Sequence, residues 1–389
     1  MIWWCWISGL ALVAIWLLPV LEHAKHLHRI AHITDPEWGP PHDFALPSLT
    51  IVVPARNEAG EIEAALRSLI ALDYPDPDLK IIAVNDRSTD ATGDIMNRLA
   101  AESASFGRLR LLHVTELPPR WLGKTHAMWI GARQTTSEWI LFTDADCVFR
   151  PDALRRAVYY AVSKSVDHLA LMPTFDMRTW GERMIISFPQ VAGGFVLRPW
   201  KVSDPEARDS IGIGAFNLVR REAYVAMGSF EALRLEVVDD LKFGEAIKKA
   251  RLRQDVVFGR ELVTLRWIEG AWGVVRILEK NLFAFLKFRV SLALAACLLL
   301  IFVNVWPFAG AILAPGWSRL PLIAAVILIA IRYHQSEPVT GAPTIVFLAT
   351  PISALLTAIA IVGSAYKAIR NGGVTWRGTT YPLEELRKK

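Results

Sequence analysis

Two carboxylates one residue apart, Asp144 and Asp146, interrupt the apolar run WILFTDADCVF at residues 139–149. Read as a strand, side chains two apart share a face, so both carboxylates address one spot and repel unless a cation lies between them. Two more polar groups follow apolar runs in the same manner. They are PARNE at 54–58, with Pro54, Arg56, Asn57 and Glu58, and NDRS at 85–88, with Asp86. Lys124 in WLGKTHA and the acid pair Asp239 and Asp240 in VVDDLKFGEAIKKA complete the set.

Each group also has a plain structural account. Asn, Asp and Ser are common turn formers, Lys124 at a helix start can simply face water, and adjacent acids complement the positive end of a helix. A phosphate-binding P-loop is excluded for GKT, because Pro118 stands where the glycine five residues before Gly123 is required.

The elements around these groups decide how they are placed. LTIVVPARNEAGEIEAALRSLIAL starts as a strand and continues as an amphipathic helix with Ile62, Leu66, Leu69 and Ile70 on one face. LKIIAVNDRSTDATGDIMNRLA repeats the theme, with Ser88 or Asp90 available as a helix N-cap. RLRLLHV, GKTHAMWIGARQ and EWILFTDAD supply a third strand, a third helix and a fourth strand. This alternation, with near-continuous apolar strands, predicts a doubly wound α/β domain with a mainly parallel sheet covered on both faces. Ligands of such sheets gather beyond the carboxyl ends of the strands, where PARNE, NDRS and TDAD all fall. Farther on, HLALMP, the Gly-spaced IGIGAFNLVR, DVVFG and ELVTLRW read as strands, and residues 181–200 as a helix-forming or interfacial stretch.

The 389 residues hold more than that domain. Residues 1–21 carry no charge, enough helix at ~1.5 Å per residue to span a ~30 Å hydrocarbon core. Apolar blocks recur at 291–314, 320–331 and 344–365. The expected plan is an N-terminal transmembrane helix (1–21), a juxtamembrane linker (22–48) and a catalytic domain (49–270). Interfacial helices (271–290), two to three C-terminal membrane helices (291–365) and a basic tail (366–389) follow. Lys25 and Arg29 after the first span place the domain in the cytoplasm, making this a multi-pass protein of the inner (plasma) membrane. The basic tail asks for the same side, which a re-entrant, non-crossing 320–331 would allow. The net charge of +5 comes without a long basic run, which argues against nucleic acid as a partner. Three scattered cysteines offer neither a disulfide framework nor a CxxC metal site. The four histidines of HAKHLHRIAH, beside Lys and Arg, read as head-group residues rather than metal ligands.

IVVPARNE, VNDRSTDAT, WLGKTHA, FTDADCVF, GAFNLVRREAY with MGSF, and VVDDL occur in the order and rough spacing of the family 2 glycosyltransferases. The chain resembles the membrane-bound members similar to ceramide glucosyltransferase and to the enzymes that glycosylate hopanoids or carotenoids, over about residues 49–285 and again at WRGTTYP. The resemblance implies a GT-A-like fold and an inverting transfer of one sugar from a nucleotide-diphosphate donor, expected to be a UDP-sugar, to a lipid or other membrane-associated hydroxyl. It makes Asp144 and Asp146 the DxD pair holding Mg²⁺ or Mn²⁺, and Asp86 the contact to the uracil and ribose side. Pro54, Arg56, Asn57, Glu58, Lys124, Asp144 and Asp239 would line the donor site, and Asp240 would be the general base. The processive members' (Q/R)xxRW is not kept: Arg276 fits its first position as a donor contact, but RILEK follows, and VTLRW at 263–267 comes early. A nucleotidyl or glycosylphosphoryl transferase and an inactive membrane scaffold are the alternatives.

Overall fold

Apolar runs buried on both faces build the sheet. The computed structural model describes residues 2–102, 107–193, 198–266, 269–376 and 379–383, which fall into two compact units. Ile30–Asp176 with Pro199–Arg266 form one; Met1–Arg29, Met177–Arg198 and Trp267–Lys389 form the other.

The first unit is a mixed α/β sandwich. Its strands are β1 (Leu49–Ala55), β2 (Leu79–Asp86), β3 (Leu109–Val114), β4 (Trp139–Phe142), β5 (Cys147–Phe149), β6 (His168–Met172), β7 (Thr174–Phe175), β8 (Asn217–Arg220), β9 (Gln254–Phe258) and β10 (Val263–Leu265). Seven of them form one sheet in the order β3-β2-β1-β4-β8-β6-β9. The pairings among β1 to β4 are parallel, as is that of β6 with β9, whereas β8 runs antiparallel to both its neighbours. β5, β10 and β7 make a smaller sheet. All seven residues of β1 and all four of β4 are buried, which is why their sequences do not alternate. Each fully buried Ile, Leu or Val there contributes about 1.5–3 kcal/mol.

Two expectations shift here. TDAD is not strand: β4 stops at Phe142, and residues 143–146 form the turn into β5. The cause is the pairing of the turn with another segment, since Asp144 N donates to Gly214 O at 3.1 Å and Thr143 Oγ1 to Ala215 O at 2.8 Å. IGIGAFNLVR is strand only over its last four residues, because the glycine-bearing part serves a contact described below.

Helix Asp239–Lys249 carries the acid pair and is fixed by Phe243 and Ile247. Phe243 lies 5.8 Å, ring to ring, from Phe142, the last residue of β4, in a cluster with Tyr224 and Phe230. The end of β4 and the head of this helix are thereby held by one aromatic core.

The second unit is helical: Ile2–His26, Trp180–Gly193, Gly270–Phe285, Val290–Asn304, Trp306–Leu313, Leu320–Thr340 and Thr350–Arg370, closed by a hairpin of β11 (Gly373–Trp376) and β12 (Thr379–Pro382). Three stretches are long and apolar enough to cross a membrane: Ile2–Arg29, Gly316–Thr340 and Thr344–Arg370. The block at 320–331 thus belongs to a longer helix than its apolar core suggested. The block at 291–314 is instead two helices bent by 43°. Pro307 causes the break, since it cannot donate to Val303 O, and the Trp16 indole N–H takes that carbonyl at 3.2 Å.

Contacts give the helix directions. Gly9 meets Pro321 and Val20 O accepts from Gln335 Nε2 at 3.1 Å, so the first helix and Leu320–Thr340 run the same way. Val303 meets Trp16 and Trp306 meets Ser8, so Val290–Leu313 runs opposite to both. From Phe283 of helix Gly270–Phe285, whose N–H donates to Ser364 Oγ, to Cys297 of Val290–Asn304, beside Ala358, the partners go backwards, so Thr350–Arg370 runs opposite to the stretch 283–297.

Candidate functional site

The carboxyl ends of β1, β2 and β4 are stitched into one surface by side-chain to backbone bonds. After β1 the chain turns through Asn57 at φ 55°, and after β2 through Arg87 at φ 55°. Asn57 Oδ1 accepts from Thr89 N at 2.8 Å, Ser88 Oγ from Asn57 N at 3.1 Å and Thr92 Oγ1 from Glu58 N at 2.8 Å. Asp90 accepts from Thr92 N and Ala59 N, so of the two cap candidates Asp90 bonds the first turn and Ser88 the facing loop. Pro54 is tolerated in β1 because its nitrogen faces β4, whose pairing has ended at Val52 with Phe142.

Asp86 is 3% exposed. It accepts twice from the Arg87 guanidinium, at 2.7 and 3.1 Å, with Arg56 Nη1 at 3.8 Å. Helix Gly123–Arg133 begins against it, and a side chain at Gly123 would collide with Asp86 Oδ2. The next residue, Lys124, turns to the acids: its Nζ lies 2.6 Å from Asp144 Oδ1 and 3.7 Å from Asp239 Oδ2.

Acid outnumbers base in this pocket. Burial pushes Asp146 up to about 7, and the like charges of Asp144 and Glu58 add to that. Burial also raises Asp239 to about 7, with Lys124 opposing and Asp240 and Asp144 reinforcing. Asp240 is raised by burial against the pull of Lys124, and its Oδ1 accepts from Leu241 N at 2.8 Å. For Lys124 burial works downward, but Asp144, Asp239 and Asp240 outweigh it and hold the ammonium charged.

A divalent ion fits this donor set. Asp146 is a half-buried carboxylate pressed by like charges, the state that a hard cation relieves. Among the described residues no three His, Cys, Asp or Glu side chains surround one point. Two carboxylates completed by water and phosphate oxygens suit Mg²⁺ or Mn²⁺ rather than an all-protein cage.

The site also uses residues that sequence reasoning missed. The segment 211–216 passes between the acids at glycine positions: a Cβ at Gly214 would lie 2.5 Å from Asp144 Oδ2, and one at Gly212 would overlap the main-chain carbonyl of Asp240. A buried polar network holds this segment in place. Gln254 Oε1 accepts from Ile211 N at 3.0 Å, and its amide nitrogen lies 2.9 Å from His168 Nδ1. His168 Nε2 reaches Asn217 Oδ1 at 3.1 Å, and the same oxygen accepts from Ile213 N at 3.0 Å. The only signal for this in the sequence was the Gly-x-Gly spacing, which marks close backbone approach as readily as a strand.

Pro54, Arg56, Asn57, Glu58, Asp86, Lys124, Asp144, Asp146, Asp239 and Asp240 therefore all belong to the sheet unit. Arg276 does not; it is exposed on helix Gly270–Phe285 of the helical unit. In the same RILEK segment Glu279 pairs with Lys367 and packs on Gly363. Trp267 of VTLRW, and Arg377, Arg387, Lys388 and Lys389 of the tail, lie outside the described residues.

Residues 50–227 match the family model described as Glycosyl transferase family 2. A 4,4'-diaponeurosporenoate glycosyltransferase of Staphylococcus aureus (strain MRSA252) is 23% identical over 353 residues, covering 88% of this chain and 90% of that protein. Among solved structures, the mannosyltransferase PcManGT from Pyrobaculum calidifontis, in complex with GDP-Man and Mn²⁺, superposes with a TM-score of 0.53 at 21% identity. The match covers 94% of this chain and 99% of that one. The sheet unit thus has a GT-A-like fold.

Proposed function

We propose that this chain, whose residues 50–227 form a Glycosyl transferase family 2 domain, is an inverting glycosyltransferase that moves one sugar from a nucleoside-diphosphate sugar, UDP-linked by preference, to the hydroxyl of a membrane lipid. The observation that carries this reading is the excess of buried and half-buried carboxylate beyond the carboxyl ends of β1, β2 and β4, where Lys124 is the paired cation of Asp144 and Asp239.

Asp144 and Asp146 would hold the divalent ion, whose positive charge stabilises the departing diphosphate. Lys124 supplies a fixed charge toward the same phosphates. Asp86, with Arg56 and Arg87 around it, receives the ribose and base, and the backbone of 54–58 forms the adjacent wall. Asp240, raised by burial, takes the proton of the acceptor hydroxyl, and Asp239 keeps Lys124 oriented. A base facing a leaving diphosphate implies a single displacement with inversion. The curated relative, described as acting on 4,4'-diaponeurosporenoate, favours an extended lipid acceptor over a soluble sugar. A lipid also meets an anchored enzyme at high effective concentration. Glu279, engaged with Lys367 where processive enzymes carry Arg-Trp, agrees with addition of one sugar.

The helix directions support a topology with the domain and tail both cytoplasmic. The first helix enters the cytoplasm, Val290–Leu313 leaves it and Leu320–Thr340 returns. Residues 341–349 then fold back beside the end of that helix, where Thr344 Oγ1 donates to Glu337 at 2.6 Å and Val346 shares a buried cluster with Tyr333, before Thr350–Arg370 descends again. The re-entrant element is then 341–350, and Lys367 and Arg370 end on the cytoplasmic side as basic residues prefer.

Membranes incubated with a panel of labelled nucleotide sugars, with and without chelator, test the function. Labelled lipid and released nucleoside diphosphate are expected. Release of pyrophosphate or nucleoside monophosphate would instead identify a nucleotidyl or glycosylphosphoryl transferase.

A further inference from the structure

Arg332 is a charged residue in the interior of a helix that is long and apolar enough to cross a membrane, and it is only 2% exposed. It lies 12 residues into helix Leu320–Thr340, about 12 Å short of the C-terminal end at ~1.5 Å per residue. Its Nη1 donates to Ser336 Oγ at 2.5 Å, one turn away on the same helix. Its Nε finds no acceptor, and among the described residues no carboxylate pairs with it. The titratable neighbour facing it from the first helix is His23, which can add positive charge but no negative charge. Beside it, Gln335 Oε1 is also buried without a partner.

A guanidinium inside an apolar bundle costs several kcal/mol unless a counter-charge meets it, and such residues in membrane segments mark sites where something charged binds. Beyond the one neutral amide oxygen of Gln335, the described residues here supply donors and no acid, so nothing neutralises the guanidinium and the missing partner is an anion. The location selects its kind. Val20 O, bonded by Gln335, and His23 belong to the last turns of the first helix, at the end leading into residues 27–48. An anion held there sits at the depth of the cytoplasmic head groups and carries an apolar body into the bilayer.

We propose that Arg332, with Ser336 and His23 at its side, binds the anionic group of a membrane lipid, a phosphate or carboxylate, from the cytoplasmic leaflet. The forked guanidinium suits either group through paired donors. This rests on the membrane reading of the helical unit and not on sugar transfer, so the test uses no sugar donor.

The full chain is purified in a neutral detergent, and its thermal midpoint is followed on titration with dioleoylphosphatidylglycerol, with oleate, with dioleoylphosphatidylcholine, and with inorganic phosphate. Binding to the folded state raises the midpoint by mass action. We expect a saturable rise with phosphatidylglycerol or oleate and none with phosphatidylcholine. A rise with inorganic phosphate at the same concentrations would show a free-anion site and overturn the lipid assignment. Arg332→Gln should lose the rise while melting no lower than the parent in lipid-free detergent, since it removes an unpaired buried charge. Arg332→Lys should keep part of the response, with at least a tenfold weaker midpoint concentration. An unchanged response in Arg332→Gln overturns the proposal. So does Arg332→Gln failing to fold together with a full-strength response in Arg332→Lys, because the guanidinium would then be structural.

Discussion

Replacing Gly212 by alanine tests the site at its tightest point. The added Cβ would overlap Asp240 O and would lie 2.8 Å from Asp240 C and 3.1 Å from Gly244 N, all of them backbone atoms of one helical turn. No side-chain rotation relieves this, so the backbones must part by more than about 1 Å before Asp240 O reaches the 3.4 Å of ordinary contact. Phe243 pins the helix to the aromatic core, and Gln254 and Asn217 pin the segment 211–213, so the strain falls on the turn bearing Asp239 and Asp240. Overpacking of this kind costs about 1–3 kcal/mol. A shift approaching 1 Å in a catalytic group costs on the order of 10²-fold in rate. Gly212→Ala should therefore insert into membranes, melt lower, and lose sugar transfer far more than its stability loss explains. Gly60→Ala, which meets nothing within 4 Å, is the control and should keep both. Thermal melting and initial rates on labelled donor read the two effects separately. A Gly212→Ala enzyme with parental rate would refute the claim that this backbone contact positions the base.

Further outcomes follow from the same geometry. Asp146→Asn should reduce transfer by roughly 10²-fold or more, and the residual rate should no longer respond to chelator; a chelator-sensitive residue of activity would move the ion elsewhere. Lys124→Met leaves Asp144 and Asp239 without their cation. About 2 kcal/mol of stability should be lost, less than for a fully buried pair because a third of Asp144 is exposed, together with most activity. His168 gives a pH signature: burial lowers it from 6.5 to about 4, so the unfolded chain binds the extra proton between those values. The contribution of His168 is full above pH 6.5 and falls by roughly 3 kcal/mol as pH drops to 4, opposite in sign to that of the raised Asp146 and Asp239, so denaturant titrations should show the stability of the parent relative to His168→Gln declining by that amount over the range.

Residue types and local pattern were enough for much of this protein. The strands at 49–55 and 79–86 were legible because both faces are buried, and the acids after them because a covered parallel sheet exposes only its strand ends. Long apolar stretches announced the helical unit for the equally local reason that a bilayer demands length and lack of charge. What no window of sequence contained were the contacts between segments far apart in the chain. The turn at 143–146 looked like strand because its hydrogen bonds go to Gly214 and Ala215, some seventy residues later. IGIG looked like strand because the atoms that forbid side chains there belong to Asp144 and Asp240. Arg332 stood just past the apolar block at 320–331 and drew no notice until folding surrounded it. Periodicity records the environment a residue needs from its own element; which distant backbone or charge will meet it is settled only when the elements pack.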